Sequence, residues 1–186
     1  MGNLDHSMMY RVLLLLTVLF ASTVNADAGR YELGAGDQIS ISVYDEPDLS
    51  IEKVRIGPSG SISYPLLGEI QVAGLSPEEF ENSLIKGLKG PYLVNPSVTV
   101  SVVEYRPFYV TGEVSKPGSY PFHPGLTIDK AISVAGGFTE RASKSKIYVI
   151  HDGAPDVRDA EENKISVKLS DIVKPGDVVT VEQSFF

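Results

Sequence analysis

The sequence predicts an α+β protein made of two successive β-rich segments, each with one helix. Apolar and polar residues alternate over short runs, as where Ile39, Ile41 and Val43 interleave with Ser40, Ser42 and Tyr44. Glycine-containing turns punctuate the runs at 34–37, 57–60 and 116–118. Helix-start chemistry appears at Ser76 and again at Thr127.

Before the first segment, residues 12–21 form an apolar run, VLLLLTVLFA, preceded by Arg11. Small residues follow, with cleavage signatures at 24–26 and 26–28, so residues 1–26 are expected to be a secretory signal peptide. The run falls short of the roughly 20 apolar residues of a bilayer-spanning helix. Asp5 is unusual ahead of a signal core, and a start at Met8 or Met9 would give a more regular one. Processing would leave about 160 residues, enough for one domain or two small ones.

The first segment is expected over 31–105. A strand runs through 39–43, another through Ile62 and Tyr64, and a third over 68–73. Ser76, Pro77 and Glu79 compose a capping box with proline at the first helical position, and Phe80, Leu84 and Leu88 share one face. Gly90-Pro91 stops that helix, and Val98, Val100 and Val102 mark a long strand. The second segment is expected over 106–186. Strands are predicted at 108–112, 146–150, 165–169 and 178–181, with a short extended piece at 120–122. Thr127 caps a brief helix with Ile128, Ala131, Ile132 and Ala135 on one face, ended by Gly136-Gly137. Residues 151–164 read as a polar surface loop. Gly-Ala-Gly-Asp at 34–37 is echoed by Lys-Pro-Gly-Asp at 174–177, which reads as a common turn used twice.

A formal charge of −8 with no basic patch argues against a nucleic-acid partner and against strong attraction to an anionic membrane. The absence of cysteine removes disulfides, thiolate metal sites, cysteine nucleophiles and the lipidated cysteine of a bacterial lipoprotein. The three histidines, His6, His123 and His151, lack metal-ligand spacing and are expected at the surface or in the leader. No nucleophile elbow, P-loop or dinucleotide fingerprint is present; Gly34-Ala35-Gly36 has no helix after it. Asp45, Glu46 and Asp48 could supply the paired carboxylates of a glycan hydrolase, but around Pro47 they read as a solvated turn. Asp37 and Asp177 are expected to bond their local backbone. No catalytic, cofactor-binding or metal-ligating residue is therefore assigned, no cofactor is expected, and residues contacting a substrate are not identifiable.

Residues 31–43 (YELGAGDQISISV), 60–75 (GSISYPLLGEIQVAGL) and 95–100 (NPSVTV) resemble, in order and spacing, the polysaccharide export domain. Val110, Gly112, Val114, Pro117-Gly118, Tyr120, Thr127, Ala131, Ile132 and Ala135-Gly136-Gly137, with the closing KPGDVVTV, resemble a β-grasp SLBB domain. Together these cover nearly all of the mature chain. The resemblance to Wza-type polysaccharide export proteins implies a small mixed sheet with one main helix, followed by a β-grasp domain. It also implies a non-enzymatic, periplasmic, outer-membrane-associated ring of identical copies through which capsular or exopolysaccharide passes. The implied partners are the polysaccharide itself and an inner-membrane polysaccharide co-polymerase, often with a tyrosine kinase.

Three departures from long members stand out: no lipidated cysteine, one β-grasp segment, and an end about five residues after the last strand. They suggest a separate outer-membrane protein, such as a β-barrel, as a further partner. Phe185-Phe186 matches the ending of barrel proteins, but no series of barrel strands accompanies it. Ser40, Ser42, Thr99 and Ser101 could face polymer, with water the expected neighbour. The alternative role is a monomeric envelope module that binds saccharide without conducting it.

Overall fold

A computed structural model describes residues 31–152 and 164–184; the expected signal segment, His6, Phe185-Phe186 and the middle of the 151–164 loop lie outside the described residues. Ten strands and two α-helices follow one another in the described chain. The first half holds β1 (Gln38–Val43), β2 (Ile51–Arg55), β3 (Ser61–Tyr64), β4 (Gly68–Gln71), α1 (Pro77–Leu88) and β5 (Val98–Glu104). The second holds β6 (Phe108–Gly112), β7 (Gly118–Tyr120), α2 (Ile128–Val134), β8 (Ala142–Ile150), β9 (Ile165–Ser166) and β10 (Val178–Gln183). The α+β class expected from the sequence is the one observed.

Strands β2-β1-β5 form one sheet, β3-β4 a hairpin, and β7-β6-β10-β8-β9 a five-stranded sheet. In the first half, alternation along β1 and β5 sends Ile39, Ile41, Val43, Val98 and Val100 to one buried face. Helix α1 lies against it with Phe80, Leu84 and Leu88 fully buried, the stripe that the four-residue spacing demands. Its capping box is complete: the Glu79 amide donates to Ser76 Oγ at 3.2 Å, and the Ser76 amide donates to Glu79 Oε2 at 2.8 Å. In the second half, Phe108, Val110, Ile147, Val149, Val179 and Val181 meet Ile128, Ala131 and Ile132 of α2 in a second hydrophobic cluster.

Several expectations need correction. The first-half sheet is antiparallel throughout rather than mixed, because the short turn after β1 returns β2 beside it in the opposite sense. The mixed sheet is the second one, where β6 and β10 run parallel across a long crossover. Strand β2 was not expected; it is a charged edge strand whose exposure erases the alternation. Strand β8 begins at Ala142, its first half being a serine- and lysine-rich stretch. Strand β9 keeps two of the five expected residues, while Val167 and Leu169 turn toward the core. The extended piece near 120 starts at Gly118, and Phe122 instead fills the second cluster.

Replacing Ser76 by alanine removes the cap acceptor of the helix that carries Phe80, Leu84 and Leu88. Urea unfolding should show a loss of about 1 kcal/mol with an unchanged m-value.

Candidate functional site

The echoed Gly-Asp sequences fold into two matching turns, one opening β1 and the other opening β10. In the first, the Gly34 amide donates to Asp37 Oδ2 at 2.8 Å and the Asp37 amide donates to the Gly34 carbonyl at 3.2 Å. In the second, the Lys174 amide donates to Asp177 Oδ2 at 2.8 Å and the Asp177 amide donates to the Lys174 carbonyl at 3.2 Å. Gly36 and Gly176, each just before the aspartate, hold φ of 96° and 85°, a conformation glycine adopts without a side-chain clash. Both carboxylates are buried, at 0% and 1% exposure. The local backbone bonding expected of these aspartates is present, but each also takes a side-chain partner that the sequence did not reveal.

Arg106, in the link between β5 and β6, is the partner of Asp37. Its amide donates to Asp37 Oδ1 at 2.8 Å and its Nη1 to Oδ2 at 2.9 Å. The Tyr31 hydroxyl donates to the same Oδ2. On its other side Arg106 Nε donates to Asp152 Oδ2 at 2.9 Å, just beyond β8. One guanidinium thus joins a first-half carboxylate to a second-half one. Gly34 is required for this approach, since a Cβ there would lie 2.4 Å from Arg106 Nη1. His151, beside Asp152, faces Asp177 Oδ1 through Nδ1 at 2.7 Å. Aromatic rings run alongside: Tyr31 meets Tyr105 edge-on at 4.9 Å, and Tyr105 meets Phe122 at 5.5 Å.

Electrostatics follow burial. Desolvation, reinforced by the hydrogen bond to Asp37, drives the Tyr31 hydroxyl far above the usual phenol range, so it remains a donor. Burial also holds the Asp177 carboxyl above the usual carboxylate range, outweighing the opposing pull of His151 and Lys174. Every buried side-chain nitrogen and oxygen among the described residues has a hydrogen-bond partner. The network is therefore arranged to hold two halves in one orientation.

Of the sequence candidates, the acidic trio, His123 and the strand hydroxyls stay apart from it. Asp45, Glu46 and Asp48 occupy the turn between β1 and β2, with Asp45 and Asp48 exposed and Asp45 at φ 61°. His123 is exposed in a loop, whereas His151 is half-buried by its pairing with Asp177. Ser40 pairs across the strands with Ser101, and Ser42 with Thr99; all but the half-buried Ser40 are exposed. Sequence reasoning missed Tyr31, Arg106 and Asp152. The available signal was an arginine in the short link between two alternating strands, but nothing local tells which carboxylates it reaches. Among the described residues no group of three or more histidine, aspartate or glutamate side chains is placed to hold a metal.

The sequence model for polysaccharide biosynthesis/export proteins matches residues 25–103, and that for the SLBB domain matches residues 107–160. The chain belongs to the polysaccharide export family. Among the curated members of that family, the exopolysaccharide production protein ExoF of Rhizobium meliloti is 32% identical over 174 residues, covering 84% of this chain and 41% of ExoF. The EPS I polysaccharide export outer membrane protein EpsA of Ralstonia nicotianae is 29% identical over 202 residues, covering 88% of this chain and 52% of EpsA. The polysialic acid transport protein KpsD of Escherichia coli is 31% identical over 125 residues, 64% of this chain and 22% of KpsD. The chain thus spans about half, or less, of these export-family relatives. No helix among its described residues is long and apolar enough to cross a membrane.

Replacing Arg106 by alanine leaves the Asp37 carboxylate buried with one cationic partner fewer. Denaturant unfolding of the first half should report a loss of about 3 kcal/mol, larger than any surface arginine produces. Asp177 gives a pH signature. Its raised value means that the folded chain binds this proton more tightly than the unfolded chain does. Its contribution is therefore most favourable below the unfolded value of about 4 and declines as pH rises through the raised value. In unfolding series from pH 3.5 to 7, the stability of wild type relative to Asp177→Asn should fall with rising pH over that window and then level off.

Proposed function

We propose that the chain is a non-catalytic component of a polysaccharide-export assembly that carries exopolysaccharide or capsular polysaccharide out of the cell. The observation that carries this reading is the ordered pair of segments, polysaccharide export then SLBB, aligned over most of this chain with ExoF and EpsA. In this reading residues 1–26 direct export, and the mature chain works in the periplasm beside the outer membrane. Copies pack head to tail into a closed ring around the polymer. The ring meets an inner-membrane polysaccharide co-polymerase on one side and a separate outer-membrane protein, such as a β-barrel, on the other.

A head-to-tail ring closes only when the angle between the two contact faces of each copy is fixed. The bridge from Asp37 through Arg106 to Asp152 supports the reading by supplying such rigidity between the halves. Transport would be passive: the ring provides a hydroxyl-lined route, and polymer growth at the inner membrane supplies the force.

Deleting the gene should abolish extracellular polysaccharide, and supplying it in trans should restore it. The mature protein, sized by light scattering with and without envelope partners, should form a discrete multimer. A persistent monomer that binds saccharide would favour the module without channel activity. Release of new reducing ends from the polymer, lost when Asp45, Glu46 and Asp48 become amides, would establish a hydrolase and overturn the proposal.

A further inference from the structure

The five-stranded sheet buries one face against α2 and turns the other outward. Cross-strand register places four hydroxyl side chains in one row on that outer face. Thr111 of β6 stands beside Thr180 of β10, Thr180 opposite Tyr148 of β8, and Tyr148 opposite Ser166 of β9. Beside this row, Ser119 of β7 stands opposite Tyr109 of β6. None of the six is buried, and Tyr109 is 42% exposed. Adjacent strands lie ~4.8 Å apart, so a row over four strands extends about 14 Å. The Thr111 and Thr180 hydroxyls are 3.0 Å apart. At the far end the Lys164 ammonium stands 5.7 Å from the Tyr148 ring centroid and 3.9 Å from Glu182 Oε1.

We propose that this outward face is a glycan-contact surface that takes a linear stretch of polysaccharide across the strands. The ligand class rests on the export reading; the location rests on the sheet. A sugar ring offers a fringe of hydroxyls and a flat C–H face. The hydroxyl row matches the first, since each hydroxyl both donates and accepts. The tyrosine rings match the second, being apolar bodies with a polar tip. The spacing of the strands is comparable to the repeat of one hexose along a chain, so successive strands can address successive sugars. Other occupants fit less well. A nucleic acid would call for a row of unpaired basic side chains, whereas Lys164 is paired with Glu182 in a chain of net charge −8. A stable protein interface would call for a broad apolar centre, whereas here the one apolar row of Tyr109, Val178 and Ile150 is bordered by the hydroxyl row. Contacts of this kind exchange readily with water, as passage of a polymer requires.

The test uses the full chain purified from the periplasm, labelled with nitrogen-15. It is titrated with oligosaccharides released by mild acid from the secreted polysaccharide of the same cells. Amide shifts should appear at Tyr109, Thr111, Tyr148, Ser166 and Thr180. Tyr109→Ala should weaken binding about tenfold, the loss of one ring contact, while Tyr109→Phe retains it. Thr180→Val, which keeps the branched shape, should weaken it about fivefold. Shifts confined to the Ser40–Ser101 and Ser42–Thr99 pairs, or no shift at all, overturn the proposal. So do shifts that follow protein concentration rather than added glycan, which place a second copy on this face. If deletion stops secretion while the face binds no glycan, this assignment falls and the export role stands. If the face binds glycan but deletion leaves secretion intact, the reverse holds.

Discussion

The carboxylate of Asp37 has no exposure to solvent, and the junction between the halves is organised by the need to satisfy it. Local backbone satisfies part of it through Gly34. The rest comes from Tyr31 and from Arg106, which lies beyond the end of the first sheet. Arg106 also reaches the half-exposed Asp152, so the guanidinium that satisfies the buried acid touches both halves. A buried ion pair of this kind adds little net stability over apolar packing, yet removing one partner is costly. The Tyr31–Tyr105–Phe122 contacts add an apolar seam beside the polar one.

Each half otherwise folds around its own hydrophobic cluster. That division explains why so much of the fold was legible in sequence. Alternation in β1 and β5 and the capping box of α1 are local signals, and local chemistry decides them. The elements that escaped are those whose identity comes from a neighbour. Strand β2 is a strand because β1 offers it hydrogen bonds, not because Ile51 to Arg55 alternate cleanly. The serine- and lysine-rich start of β8 reaches the sheet through pairing with the end of β10.

The same distinction separates the parts of the candidate site. Asp37 and Asp177 could be placed in turns, since the Gly-Asp pattern is local. Their partners Arg106 and His151 lie 69 and 26 residues away in sequence, and no periodicity encodes such a pairing. The outward row of Thr111, Thr180, Tyr148 and Ser166 is likewise a product of register, assembled from strands that are distant in sequence and partly parallel. In the proposed assembly the two features are complementary. The junction fixes the angle that ring closure needs, and the outer sheet face presents hydroxyls and rings to the passing polymer.

Coupled through the Arg106 bridge, the two clusters should unfold as one body. Scanning calorimetry of the purified protein reads this coupling. One transition is expected, with calorimetric and van't Hoff enthalpies in agreement, separating into two when Arg106 is replaced. Two resolved transitions in the wild-type chain would contradict it.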